Sequence, residues 1–103
     1  LTISLGLKTI VIDKNITILA DTGTTIQVTA AGNKPALTLT AGHSLTLKNF
    51  ILETTSATKE TIFNLGTMTM EDMTIKNATG NECIRNMSAS SLSILGNCQL
   101  LQN

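Results

Sequence analysis

The sequence predicts an all-β chain wound as a parallel solenoid. Three observations carry that expectation: a period-two alternation of Thr or Ser with aliphatic residues, a repeat of 22 to 25 residues, and no convincing helical pattern. The alternation recurs as Ile16-Thr17-Ile18, Leu37-Thr38-Leu39, Leu45-Thr46-Leu47, Met68-Thr69-Met70 and Leu92-Ser93-Ile94. Such segments suit short strands with one buried face, and the pieces between them carry the turn residues Gly, Asn, Asp and Ser.

Taken in order, the chain opens in the strand-like Leu1-Thr2-Ile3 and continues through Ile10-Val11-Ile12 and Ile16-Thr17-Ile18. Two turn-rich stretches follow, Asp21-Thr22-Gly23-Thr24-Thr25 and Ala30-Ala31-Gly32-Asn33-Lys34-Pro35. From Leu37 onward the repeat is explicit. The segment from Gly42 to Leu52 matches the one from Gly66 to Ile75, and both match the one from Ser90 to Leu100. Leu45, Met68 and Leu92 therefore correspond, at offsets of 23 and 24 residues. Leu47, Met70 and Ile94 form a second apolar column, and Phe50, Met73 and Cys98 a third. Leu37, Ile62 and Ile84 form another upstream.

Columns of this kind describe about four coils, each stacked on the last at roughly 4.8 Å, with the apolar columns inside and Ser44/Thr46, Thr67/Thr69 and Ser91/Ser93 outside. The polar column Asn49, Asp72, Asn97 falls where each strand must turn sharply. Asn and Asp tolerate left-handed backbone angles there better than other non-glycine residues. Asn15, 34 residues before Asn49, is placed as the same turn in an earlier coil, which leaves that coil an insertion of about ten residues in one of the two turn-rich stretches. A leucine-rich repeat has a similar period but requires a fixed Leu-x-x-Leu-x-Leu frame that is not kept.

The strings Asn64-Leu65-Gly66-Thr67-Met68-Thr69-Met70-Glu71-Asp72-Met73-Thr74-Ile75-Lys76-Asn77 and Ser91-Leu92-Ser93-Ile94-Leu95-Gly96-Asn97-Cys98 resemble the N-x-G-T-L-T-I-x-N-C-T-I-x-N coils of right-handed parallel β-helices, the pectate-lyase-like fold. Ile10 to Ile18 resembles an early coil of the same kind. The likeness is nearest to coils of bacterial surface proteins, adhesins and autotransporter passengers. It covers most of residues 9 to 103 and speaks for fold more than for function. The Gly-rich strand that usually precedes each coil in that family is reduced here to Thr61-Ile62-Phe63-Asn64 and Cys83-Ile84-Arg85-Asn86.

Composition narrows the function classes. The 103 residues carry no net charge, which removes the basic footprint of a nucleic-acid binder, and apolar runs of three residues are far too short to span a bilayer. An enzyme of the pectate-lyase-like fold needs converging carboxylates with a His and basic residues. Here Gly42-His43-Ser44 precedes Glu71-Asp72, the reverse of the polygalacturonase order, and Asp72 already has a turn to explain it. No catalytic residue is assigned. One His and two Cys without a Cys-x-x-Cys pair leave no zinc site, and no cofactor is expected. Cys98, in the Phe50/Met73 column, reads as a small buried hydrophobe, and Cys83, one residue before Ile84, is placed outward or toward a turn. With no Trp or Tyr, and Phe50 in a core column, no aromatic platform for sugars is expected. The sequons at Asn15, Asn77 and Asn86 are what chance gives in a chain rich in Asn and Thr.

Residues 1–103 are thus expected to form a single β-helix domain, an excerpt of a longer solenoid, at the bacterial cell surface or outside the cell. The expected role is non-catalytic: a structural or adhesive segment acting as rigid spacer or display surface. Its expected partners are a host surface or polysaccharide, together with further coils or end-to-end copies. The alternatives are a fragment of a polysaccharide lyase or glycoside hydrolase and, as a minor one, an ice-binding Thr face.

Overall fold

The computed structural model describes residues 1–30, 33–55, 59–77 and 79–102. Among them lie thirteen strands and no helix: β1 (Thr2–Lys8), β2 (Ile10–Ile12), β3 (Ile16–Leu19), β4 (Thr25–Ala30), β5 (Leu37–Leu39), β6 (Ser44–Lys48), β7 (Ile51–Thr54), β8 (Ile62–Asn64), β9 (Thr67–Glu71), β10 (Thr74–Asn77), β11 (Ile84–Asn86), β12 (Ser91–Leu95) and β13 (Gln99–Gln102). Every pairing between them is parallel. Sheet I runs β1-β4-β7-β10-β13, sheet II β2-β5-β8-β11 and sheet III β3-β6-β9-β12. The chain therefore visits sheets II, III and I in turn and repeats, which makes a β-solenoid of about four coils. Coil 1 is β2–β4, coil 2 β5–β7, coil 3 β8–β10 and coil 4 β11–β13, with β1 one rung before coil 1.

Short strands hold because β4 to β10 each lie between two others and their inward side chains stack into columns. In sheet III, Ile16, Leu45, Met68 and Leu92 are successive Cα partners, and so are Ile18, Leu47, Met70 and Ile94. In sheet II the inward files are Ile10, Leu37, Ile62, Ile84 and Ile12, Leu39, Asn64, Asn86. In sheet I, Ile3, Ile26, Leu52, Ile75 and Leu100 share a file. Most of the fully enclosed residues belong to coils 2 and 3, where Leu39, Leu47, Ile62, Met68, Met70, Met73 and Ile75 are at 0% exposure, and Val28 of coil 1 is enclosed as well. Aliphatic and thioether side chains fill a narrow prism of this kind without needing polar partners.

Coil 1 differs from the sequence-based expectation. Asn15 is not the counterpart of Asn49. It lies one residue before Ile16, which pairs with Leu45, and its Oδ1 accepts the Ser44 N–H at 2.9 Å. The residue at the Asn49 level is Ala20, whose carbonyl oxygen accepts the Asn49 side-chain N–H at 3.1 Å. Nine residues separate Ile16 from Thr25 where six separate Leu45 from Ile51, so this corner carries three extra residues rather than ten. They form a turn within Asp21–Thr24, closed by the Thr24 N–H on the Asp21 carbonyl at 3.1 Å, with Gly23 at φ 90. Of the second turn-rich stretch, residues 31 and 32 lie outside the described residues.

Candidate functional site

Each coil has three corners, and each corner uses different chemistry. Between sheets III and I the backbone turns through a left-handed residue: Asn49 at φ 70 in coil 2, Asp72 at φ 52 in coil 3 and Gly96 at φ 66 in coil 4. In coil 4 that place belongs to Gly96 and not to Asn97. Seven residues separate Leu92 from Gln99 where six separate Met68 from Thr74, so Asn97 is the extra one. Asp72 accounts for the glycine, because a Cβ on residue 96 would run into Asp72 Oδ1, and that same oxygen accepts the Asn97 N–H at 2.9 Å. Asn49 bonds the other way along the axis, to Ala20 O at 3.1 Å and Thr22 Oγ1 at 3.2 Å. Phe50 and Met73 follow one residue later and Cys98, after the extra Asn97, two residues later, joined by Thr74 N–H to Phe50 O at 3.1 Å and Gln99 N–H to Met73 O at 2.9 Å.

Two buried asparagines organise the other corners. Asn64, between sheets II and III, accepts the Gly66 N–H at 3.0 Å and donates to Asn86 Oδ1 at 2.9 Å and Ser91 O at 3.0 Å. Gly66 is required there, since a Cβ would lie 2.8 Å from Thr40 O and press on His43 O as well. Asn77, between sheets I and II, is 1% exposed. Its amide donates to Lys59 O at 3.0 Å, Thr61 Oγ1 at 3.2 Å and Glu82 O at 3.3 Å. Its Oδ1 accepts from Thr79 N, Thr79 Oγ1 and Asn81 N at 3.1, 2.8 and 3.2 Å. Neither asparagine stood out by column counting. The signal was the N-x-G string at Asn64 and the last Asn of the repeat motif at Asn77. The Asn77 sequon is thereby closed to modification in the folded chain.

A third small-residue file runs just before sheet II, through Ala36, Thr61 and Cys83, all buried. Backbone bonds from Leu37 N–H to Thr61 O and from Ile62 N–H to Cys83 O, both 2.9 Å, set this register. Cys83 is inside, not outward: its Sγ lies 3.4 Å from Ile75 O and 3.3 Å from Leu101 O, and burial pushes its thiol pKa up. The corner needs an inward side chain small enough to fit, and Ala, Thr and Cys meet that demand. Cys98 is only half-buried, and both thiols are free.

The outer faces are where a ligand could be met, and they differ. On sheet I, Ser4 donates to Gln27 Oε1 at 3.1 Å and Gln27 donates to Glu53 Oε1 at 2.8 Å, while the Thr29 and Thr55 hydroxyls lie 2.9 Å apart. That face satisfies itself along the axis. On sheet III, Thr17, Thr46, Thr69 and Ser93 form one outward file and Ser44, Thr67 and Ser91 another. None of these seven hydroxyls bonds to another described residue. Beside them Lys48 Nζ pairs with Glu71 Oε2 at 3.4 Å, flanked on the neighbouring rungs by exposed Leu19 and Leu95.

Sheet II shows one outward side chain per strand: Val11, Thr38, Phe63 and Arg85. Phe63 is half-buried on this outer face, so an aromatic ring is displayed after all. Counting rings by type missed it, whereas the alternation Ile62-Phe63-Asn64 would have put it outside.

The chemistry-bearing residues do not converge. Glu71 is held by Lys48, Asp72 by the next corner, and His43 lends its backbone carbonyl to the Thr67 N–H at 3.0 Å. Among the described residues no group of three or more His, Cys, Asp or Glu could hold a metal ion, and no helix is long and apolar enough to cross a membrane. No protein-family model, curated protein or solved structure matches the chain.

Proposed function

We propose that the chain is a non-catalytic structural segment of a bacterial cell-surface or secreted protein of the right-handed, pectate-lyase-like β-helix kind, serving as a rigid spacer that displays its side faces to a host surface or a polysaccharide. The observation that supports this reading is the continuity of the columns and corner bonds from rung to rung. Backbone ladders on three sides, and Asn and Asp side chains at the corners, tie each coil to the next, so the axis resists bending. A spacer needs that stiffness, and catalysis would instead need converging acid–base groups. The test is an assay on pectic and glycosaminoglycan substrates with Glu71→Gln and Asp72→Asn beside the parent chain. No turnover is expected, and turnover lost in either variant overturns the reading in favour of a lyase or hydrolase fragment.

The sheet III hydroxyl files favour one second reading, an ice-binding face. Seven hydroxyls without partners among the described residues stand at the strand spacing of about 4.8 Å on one outer face. Thermal hysteresis that disappears in Thr46→Lys and Thr69→Lys would establish it, and its absence in the parent chain dismisses it.

A further inference from the structure

Sheet II has a side face that stays open whatever stacks along the axis. Its outward file runs Val11, Thr38, Phe63, Arg85, one side chain per rung. Rungs stand about 4.8 Å apart, so Phe63 has Thr38 one step below it and Arg85 one step above. Phe63 and Thr38 are half-buried, whereas Phe50, the other phenylalanine of the chain, is 4% exposed. The Thr38 hydroxyl bonds to no described residue.

The groups around the ring carry both signs of charge. Arg85 Nε donates to Glu82 Oε1 at 3.1 Å and its Nη2 lies 3.0 Å from the same oxygen. Glu82 Oε2 and the remaining guanidinium N–H groups are left without a partner among the described residues. The register repeats this placement one rung lower: the Thr61 N–H bonds to Glu82 O at 3.0 Å, so Glu60 stands to Phe63 as Glu82 stands to Arg85. The Glu60 residue is only 7% exposed, and its carboxylate has neither hydrogen bond nor ion pair with a described residue. A carboxylate so covered ordinarily has a partner.

The charges decide what kind of ligand fits. Lys59 and Arg85 balance Glu60 and Glu82 on these two rungs, so the edge carries no net charge. An anion laid on the ring would be set against Glu60 and Glu82, and a cation against Arg85. An uncharged molecule with an apolar face and several hydroxyls meets neither obstacle. It can rest on the ring, donate to the carboxylates and accept from the guanidinium. A neutral pyranose has that character.

We propose that Phe63, with Glu60, Glu82, Thr38 and Arg85 around it, binds an uncharged sugar residue of a polysaccharide. The C–H face of the sugar lies on the ring and its hydroxyls reach the polar groups at the edge. This rests on the display reading above and names the face and the class of sugar that reading uses. The chain holds two Phe and no Tyr or Trp, so the Phe63 ring protons can be followed singly by NMR. Titration with cellohexaose, maltohexaose and mannohexaose at millimolar concentration shifts the Phe63 signals with at least one of the three and leaves those of Phe50 in place, while hexagalacturonate shifts neither. Phe63→Leu keeps an apolar cover over the strand, and with it the circular dichroism, but removes the π face and weakens binding about tenfold. Glu60→Gln and Glu82→Gln each weaken it about fivefold, and Lys76→Ala, on the outward file of sheet I, leaves it unchanged. No shift with any neutral sugar, a stronger response to hexagalacturonate, or a Phe63→Leu chain that binds like the parent overturns the proposal. Sugar binding with the Phe63 signals unmoved places the ligand on another face, which overturns the proposal and leaves the display reading standing. Cleavage of any of these sugars overturns the display reading itself.

Discussion

In coil 3, Met68 and Met70 are fully enclosed, while one rung on, in the same two files, Leu92 is half-buried and Ile94 is 50% exposed. The residues are similar in size and polarity, and the strands have equal length and register. What differs is that, among the described residues, Met68 and Met70 have a rung on both sides and Leu92 and Ile94 on one. A column in a solenoid is dry only where it is covered on both sides, so a residue's contribution depends on its rung as much as on its identity.

The largest test of that difference is a pair of truncations in the 103-residue chain read by urea denaturation. Met70→Ala should cost about 2–5 kcal/mol, because a cavity opens between covered rungs. Ile94→Ala should cost about 1 kcal/mol, since half of the side chain is already wet. Equal losses would mean that Ile94 is as well enclosed as Met70. The next test sets a buried corner against an open one. Asn77→Ala removes a side chain that satisfies groups on Lys59, Thr61, Thr79, Asn81 and Glu82, and should cost about 2–4 kcal/mol. Asn49→Ala loses bonds to Ala20 and Thr22 at a half-exposed position and should cost about 1 kcal/mol plus the strain of a left-handed alanine.

The same contrast explains how far the sequence could be read. Coils 2 to 4 are legible because aliphatic residues in a two-residue period must share a face, and a repeat kept within 22 to 25 residues lets whole faces be superposed. Coil 1 is not, for a physical reason. With Ala20 at the corner in place of Asn, and three residues added after it, the visible Asn15 was matched to the wrong turn. Asn97 was mistaken for the turn residue in coil 4 because glycine serves the left-handed position equally well and leaves no polar mark. Cys83 faces inward against its expected place, and Phe63 escapes a count of rings that considers only Trp, Tyr and Phe50. Strand β8 and strand β11 begin just after a file of small inward residues, so Thr61 and Ile62, and likewise Cys83 and Ile84, face inward in succession before the alternation starts. The outer faces were readable as to which hydroxyls point out. Which of them are already bonded, on sheet I, or unbonded, on sheet III, depends on rung-to-rung distances that no linear pattern contains.

A smaller effect is expected at the left-handed corner file. Gly96→Ala should cost about 1–2 kcal/mol, since it adds a left-handed alanine and drives a Cβ against Asp72 Oδ1, displacing the carboxylate from the Asn97 N–H. Combining it with Asp72→Gly should recover part of the loss, because the collision goes even though the hydrogen bond is not restored. Additive losses in the double variant would show that the two corners are not in contact.

The smallest effect has the opposite sign and compares two buried threonines on neighbouring coils. Thr61, in coil 3, donates its hydroxyl to Lys76 O at 2.9 Å, whereas the Thr54 hydroxyl, in coil 2 and at 0% exposure, has no partner among the described residues. Valine keeps the shape of threonine and removes the polar atom. Thr54→Val should therefore stabilise the chain by up to about 1 kcal/mol, because a buried group that loses its water and gains nothing is a net cost. Thr61→Val should destabilise it by about 1–2 kcal/mol, since it breaks a made bond and leaves the amide of Asn77 with one acceptor fewer. Urea midpoints moving in opposite directions would show that burial is equally dry on both coils and that hydrogen-bond satisfaction alone separates the two sites. Midpoints falling together would place an ordered water beside Thr54, and the enclosed interior would then begin one rung later than the packing of Leu52 and Leu47 implies.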